Sequence, residues 1–212
     1  MKKFITFEGG EGAGKSTQAK LLARSLSKIN EKNILTREPG GSKLSEKIRR
    51  ILVNSSDVKI STDAELLLIY ASRFQHLKEK VLPSLKTKTV ICDRFVHSTY
   101  CYQNEIKHLT TKIKFIHKHF AFDLYPDITI LIDLDTEIGL KRSLDKNKKE
   151  IRFEKKKIFF HKKVRQHFLK LSKKNKKIIK INGLETKKKI HIQIIDHLNS
   201  RSLYKKKLPY II

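Results

Sequence analysis

Acidic residues are scarce in this chain. Only 21 Asp and Glu stand against 48 Lys and Arg, and the formal net charge is +27. An excess of that size points to an anionic partner such as nucleic acid, a membrane surface or a phosphorylated substrate, so its location matters. Residues 141 to 190 hold 21 Lys and Arg against four Asp and Glu, which is +17 of the total. The remainder is mildly basic. Most of the excess is lysine in the company of isoleucine and asparagine, which drift toward A+T-rich codons also produces. A solvated helix face therefore accounts for it, and nucleic acid is not the expected partner.

Cysteine is nearly missing as well. Cys92 and Cys101 are the only two; with no secretory leader upstream and no metal-type spacing, reduced thiols in a cytosol are the simplest reading. The chain also lacks a run of roughly 18 to 20 consecutive apolar residues, the length that crosses a bilayer. Its first residues, MKKFITF, run straight into a glycine-rich loop, so neither signal nor anchor is expected and the expected location is cytoplasmic. Histidines 76, 97, 108, 117, 119, 161 and 167 show no metal-type clustering beyond His117-x-His119, whose members fall on different faces of a helix.

With 212 residues and 39% apolar content, the chain can bury one substantial core. A single domain over 1–212 with an inserted lid is expected. KKFITFE (2–8) alternates like a strand, and QAKLLARSLSKI (18–29) repeats apolar residues at helical spacing. NILTR (33–37) reads as a second strand, stopped by EPGG, and a helix follows over 43–53. Asp63 is the expected cap of a longer helix that ends near Pro83. TVICD (89–93), DITILIDLD (127–135) and KIIKI (177–181) lack polar alternation, as strands buried on both faces do. A final helix spans 187–199. Strands alternating with helices predict a βαβ, parallel-sheet fold. The charged helical stretch from Leu140 to Asn175, interrupted at DKNKKE (145–150), reads as a hinged lid of about 140–155, with Phe159 and Phe168 expected in the core.

Glycine numbers only eight, yet four fall within GGEGAGKST, residues 9–17. Gly9 to Ser16 fits G-x-x-x-x-G-K-[ST] between a strand and a helix. Glycines let the backbone wrap phosphate oxygens with its N–H groups pointing inward, and the helix adds its positive end. Gly10, Glu11, Gly12, Ala13 and Gly14 would form the cradle, Lys15 would bridge β- and γ-phosphates, Ser16 would ligate Mg²⁺, and Thr17 would reach the α-phosphate. An N-K-x-D motif is missing, which argues against a GTPase, and no second tandem loop suggests a helicase. A small kinase fits better.

A phosphate acceptor arrives ionised, since a phosphomonoester has a second pKa of about 6. It needs no base but does need cations between two anions. Arg37, Arg73 and Arg94, with Arg142 and Arg152 flanking the lid, occupy suitable places. Asp93, at a strand end facing the loop, suits an outer-sphere partner of Mg²⁺; Asp133 and Asp135 read as a turn and helix cap.

EGGEGAGKST, TREPGG (36–41), ASRFQ (71–75), CDRFVHST (92–99) with the following YCYQ, and DITILIDLD together resemble the thymidylate kinase family, whose members phosphorylate dTMP to dTDP with ATP and Mg²⁺. The resemblance covers nearly the whole chain, and REPGG is its specific element. It implies a P-loop kinase fold: a parallel five-stranded sheet flanked by helices, with a basic helical lid. It implies that Arg37 and Arg94 grip the dTMP phosphate, beside Glu38 and Pro39, and that Arg73 contacts the thymine edge. Glu11 is similar to the family acid that accepts from the sugar 3′-hydroxyl. Ser98 and Thr99 match the polar pair beside the base, and Tyr102 with Gln103 the wall that disfavours ribose. The lid supplies cations: Arg152 is implied as catalytic with Lys15 and Arg94, assisted by Arg142 and Lys146 or Lys149. A homodimer is implied too.

Two positions depart from the family. Ile69 stands where a phenylalanine usually stacks on thymine, a loss of roughly 1 kcal/mol, with Tyr70 and Phe74 nearby but poorly directed. Ile151 replaces an aspartate before Arg152-Phe153-Glu154. The alternative readings are a kinase for another nucleoside monophosphate, motivated by Ile69, and a nucleotide-switched nucleic-acid binder using the basic 141–190 segment.

Overall fold

A computed structural model describes residues 2–54, 59–103, 109–146, 152 and 156–211. Five strands among them form one parallel sheet: β1 Phe4–Glu8, β2 Asn33–Arg37, β3 Thr89–Asp93, β4 Ile128–Asp133 and β5 Ile178–Asn182, in the order β2-β3-β1-β4-β5. β1 thus lies in the middle, with Phe7 registered against Asp93 on one side and Ile130 on the other. The order reverses about β1, so the ends of β1 and β3 open onto the crevice where ligands bind in such sheets.

Helices cover both faces. α1 (Lys15–Lys28) and α9 (Lys187–Ser200) pack on one, where Ile5 and Phe7 join Leu22, Leu26, Ile194 and Leu198 in a closed cluster. α2 (Lys43–Asn54), α3 (Thr62–His76), α4 (Leu82–Leu85), α5 (Val96–Tyr102), α6 (Leu109–Phe120), α7 (Thr136–Lys146) and α8 (Ile158–Lys174) complete the helical complement of the described residues. On the second face Phe4, Val90 and Cys92 pack against Leu66 and Tyr70 of α3 and Ile113 of α6, and Leu131 against Tyr102, Phe160 and Phe168. Because strand side chains alternate, Phe4, Thr6 and Glu8 all turn to this second face, which carries Glu8 toward α5.

Several expectations change. Ser61, not Asp63, caps α3, its hydroxyl accepting from the Ala64 N–H; Asp63 lies within the first turn, where its charge suits the helix N-terminus. The helical run that begins at Thr62 ends at Leu85, near Pro83 as expected, but it is not one regular helix. A π-helical turn at Leu77–Val81 joins α3 to α4, and this wider turn admits a proline that has no N–H to donate. Phe159 is exposed, and the inward aromatic is its neighbour Phe160, with Phe168 buried as expected. Asp135 caps α7 as expected, accepting from the Glu137 N–H at 3.0 Å, whereas Asp133 pairs with Arg165 of α8 at 2.7 Å. Most of the expected lid, 147–151 and 153–155 including Lys149, lies outside the described residues.

Candidate active site

The glycine loop bridges β1 and α1. Gly12 and Gly14 adopt φ of 63° and 91°, backbone that side chains disfavour, and Gly14 leads directly into Lys15 at the helix start. A second pair of close approaches fixes the loop from outside. A Cβ on Gly12 would lie 2.0 Å from the Gly139 carbonyl oxygen, and one on Gly139 would lie 2.4 Å from that of Glu11. The loop therefore rests on the first turn of α7 through two side-chain-free backbones. Lys15 is buried, and its Nζ donates to the Gly10 carbonyl at 2.6 Å. Burial and the Arg94 charge pull its pKa down to about 8, against Glu11, Asp93 and Glu8. The Ser16 hydroxyl donates to Asp93 at the end of β3.

Arg94 follows in the left-handed region, at φ 68°. That turn sends its guanidinium back over the loop. Nη1 donates to the Gly9 carbonyl at 3.0 Å and to Ser98 Oγ at 3.2 Å, and Nη2 to the Glu11 carboxylate. Tyr102 stacks against this guanidinium, 4.9 Å from ring centre, and its hydroxyl donates to the other Glu11 oxygen at 2.7 Å. Burial alone would raise the Glu11 pKa; Arg94 and Lys15 overcome it and hold the carboxyl below its usual range.

Glu8 supports this arrangement from beneath. One oxygen accepts from the Phe95 N–H at 2.9 Å and the Ser98 N–H at 3.2 Å, and the other from the Ser98 hydroxyl. It thus accepts from donors at the start of α5, where helical partners are incomplete. Burial pushes its pKa up to about 7, despite the Ser98 hydrogen bond and Arg94. It opens the EGGEGAGKST stretch, but the phosphate-loop pattern begins at Gly9, and the further signal is a carboxylate at the end of a strand buried throughout.

Opposite the loop, REPGG and α3 build the other wall. Arg73 and Glu38 are both buried, with Arg73 Nε donating to Glu38 at 2.7 Å and Nη2 to the Thr99 hydroxyl at 2.9 Å. The Tyr70 and Phe95 rings lie 4.7 and 4.8 Å from the guanidinium carbon. Arg37 is exposed, pairing with Glu46 at 3.0 Å. Gln103 donates to Glu65 at 2.9 Å, while its Oε1 is buried without a partner among the described residues.

One cavity of about 400 Å³ joins the two walls. It is lined by Glu11 to Thr17 on the loop side, by Arg37, Glu38, Pro39, Ile69 and Arg73 on the other, and by Asp93, Arg94, Ser98, Thr99, Tyr102 and Gln103 between, with Arg142 at one edge. The expected site residues thus come together, with two exceptions. Gly10 contributes through its carbonyl, as given above. Arg152 is not part of the lining: it donates to the Leu52 carbonyl at 2.9 Å and to Glu65, at the last turn of α2 and the first of α3. Tyr70 and Phe74 do not replace the missing stacking ring. Tyr70 lies beneath Arg73, and Phe74 stacks on Phe122, ring centres 5.4 Å apart. Ile69 packs on Ile48, Leu52 and Val53 instead.

The lining includes residues that sequence reasoning missed: Arg49, Leu52, Val53, Phe95 and Ser143. Arg49 donates to the Pro39 carbonyl at 2.9 Å. On an amphipathic helix an arginine beside buried Ile48 looks like any boundary cation, so only the fold around REPGG distinguishes it.

Comparison with known proteins identifies the family. The family model described as thymidylate kinase matches residues 7–194. The thymidylate kinase of Clostridium novyi (strain NT) is 41% identical over 195 residues, spanning 90% of this chain and 95% of that protein. That of Wolbachia pipientis wMel is 41% identical over 202 residues, spanning 92% and 99%. The crystal structure of thymidylate kinase from Ehrlichia chaffeensis superposes with a TM-score of 0.75 at 33% identity, covering 93% of this chain and 98% of that one. With the family model spanning most of the chain, relatives at 41% identity and a solved structure of the same fold, the chain belongs to the thymidylate kinase family.

Proposed function

We propose that this chain transfers the γ-phosphoryl group of ATP to dTMP, giving ADP and dTDP. The observation that carries this reading is the single cavity that places a phosphate-binding loop opposite the Glu38–Arg73 pair, with Arg94 between them. A transfer between two anions needs both held in line and cations at the junction. Lys15 and Arg94 stand there, each buried enough to act in a low dielectric.

In this reading the loop N–H groups and Lys15 bind the ATP phosphates, Thr17 extends the cradle and Arg142 lies over it. Arg37 and Arg94 receive the dTMP phosphate, and Arg73 with Thr99 and Gln103 faces the base. Glu11 keeps acceptor capacity beyond its bonds to Arg94 and Tyr102, because each carboxylate oxygen has two lone-pair sites, so the sugar hydroxyl has a partner. The acceptor phosphate brings its own negative oxygen, and no side chain needs to remove a proton.

The Ser16 hydroxyl and Asp93 carboxylate are hydrogen-bonded to each other beside the loop, an all-oxygen pair of the kind Mg²⁺ favours when phosphates and waters supply its remaining ligands. Among the described residues no three His, Cys, Asp or Glu gather as a stand-alone metal site, which suits an ion that arrives with ATP. Ser16 would hold it directly and Asp93 through water, and it would supply charge neutralisation at the β- and γ-oxygens. A homodimer and a cytoplasmic location complete the proposal; no helix among the described residues is long and apolar enough to cross a membrane.

The test is an ADP-release assay with dTMP, dUMP, dCMP, dGMP and dAMP as acceptors. The expected result is a preference for dTMP. A preference for a base other than thymine would overturn the assignment of the acceptor.

A further inference from the structure

His76 is fully buried at the end of α3, and both its ring nitrogens are engaged. Nδ1 lies 2.9 Å from a Glu38 oxygen and Nε2 lies 2.7 Å from the Thr36 hydroxyl. A carboxylate only accepts, so Nδ1 carries the proton and donates to Glu38; in the neutral ring Nε2 then accepts from Thr36. The second Glu38 oxygen accepts from Arg73 Nε at 2.7 Å. Arg73 is held by Glu38 at Nε, by Thr99 at Nη2 and by two aromatic rings on its faces. Its Nη1 is buried with no hydrogen-bond partner among the described residues, and Arg73 lines the cavity. Such a donor is costly unless a ligand atom accepts from it.

Among the described residues, the Glu38 carboxylate is held by Arg73 and His76. Without His76, one oxygen of that carboxylate loses its partner, and the guanidinium it anchors at Nε is held less firmly. The REPGG backbone reinforces the arrangement: a Cβ on Gly41 would sit 2.5 Å from the His76 ring, so this loop closes directly over it.

We propose that His76 is a positioning residue for the acceptor base. Held itself by Thr36, it fixes the Glu38 carboxylate, which anchors the Arg73 guanidinium in its orientation along the cavity wall. Its effect falls on the affinity and selectivity for the acceptor and not on ATP. This inference rests on the reading of the cavity as holding a nucleoside monophosphate.

The test compares His76→Phe, which keeps the volume but removes both bonds, with His76→Asn, whose amide can donate near the Nδ1 position. The KM for acceptor and for ATP are measured separately, together with the melting temperature and the binding of dTMP by calorimetry. For His76→Phe the KM for dTMP rises about tenfold, the worth of one hydrogen bond to a charged group, while the KM for ATP stays within about twofold. His76→Asn recovers most of the loss. In an Arg73→Met background, His76→Phe adds no further weakening of dTMP binding, because the group it positions is gone. Equal shifts in both KM values, an unchanged acceptor KM in folded His76→Phe, or an undiminished effect in the Arg73→Met background would overturn the proposal. If His76→Phe does not fold, Thr36→Val loosens the same chain from its far end and raises the acceptor KM selectively; no selective rise overturns the proposal. Should the assay with five acceptors favour another base, the same comparison is run on that acceptor, which separates failure of the substrate assignment from failure of the role given to His76.

Discussion

The two walls of the cavity are built from different material. On the loop side the functional groups are mainly backbone N–H and C=O, shaped by Gly12 and Gly14 and packed against Gly139. On the opposite wall they are buried side chains that hold one another, Glu38 with Arg73 and His76, and where the walls meet Arg94 and Tyr102 hold Glu11 of the loop. A backbone site is contiguous, so it is local and tolerant of its surroundings. A side-chain site draws on β2, α3, β3 and α5 at once and fails when any one partner is lost, because a buried charge left unpaired is costly.

This contrast is broken most sharply at Lys15. Lys15→Ala is expected to lower kcat by more than about 10³-fold while leaving dTMP binding within a few-fold, since Lys15 contacts the loop and not the acceptor wall. Single-turnover kinetics and calorimetry measure the two. Full turnover in this variant would remove the loop from the chemistry.

Glu8 lies where the walls meet, and its effect depends on pH. Its pKa is raised in the folded chain from 4.5 to about 7, so the folded state holds its proton more tightly than the unfolded one. The stabilisation is present below pH 4.5 and is lost as pH rises through about 7. Glu8→Gln abolishes that loss. Its stability relative to the parent chain should grow between pH 5 and pH 7.5 by up to roughly 3 kcal/mol, read from urea unfolding at several pH values. His97 and His117, depressed to about 4 chiefly by burial, act with the opposite sign in both chains and cancel in the difference. A flat difference would place Glu8 in an ordinary ionised state.

A smaller effect is expected at the outer support of the loop. Gly139→Ala puts a methyl group against the Glu11 carbonyl, which must shift because the neighbour is backbone. A loss of about 1–3 kcal/mol in stability should accompany a KM for ATP that rises more than that for dTMP. The smallest change goes the other way. Ile69→Phe restores an aromatic ring to the cavity wall and should tighten dTMP by about fivefold, the worth of roughly 1 kcal/mol of stacking. No gain would mean that the cluster of Ile48, Leu52 and Val53 already fills the space.

Legibility in the sequence follows the same division. The strands and the glycine loop were readable because apolar runs and motif spacing are local, and their observed bounds differ from expectation by a residue or two. Ser61 was missed as a cap since Ser, Thr and Asp compete at neighbouring positions, and side-chain spacing cannot choose between them. The π turn that joins α3 to α4 just before Pro83 is a feature without a sequence signature. Phe160 and not Phe159 turned inward because of where α8 meets Tyr102, a contact between distant segments.

From the order of residues alone came the parallel βαβ layout, the phosphate loop, the set of arginines and the family they indicate. Tertiary structure decided which charges those arginines face. It paired Arg94 with Glu11, 83 positions away, Arg73 with Glu38, 35 positions away, and Arg152 with Glu65 on the helical wall. It also buried Glu8 and His76 beneath the site. Local patterning sets periodicity and turns, whereas pairing between buried charges is set by how strands and helices pack, and packing is a property of the whole chain.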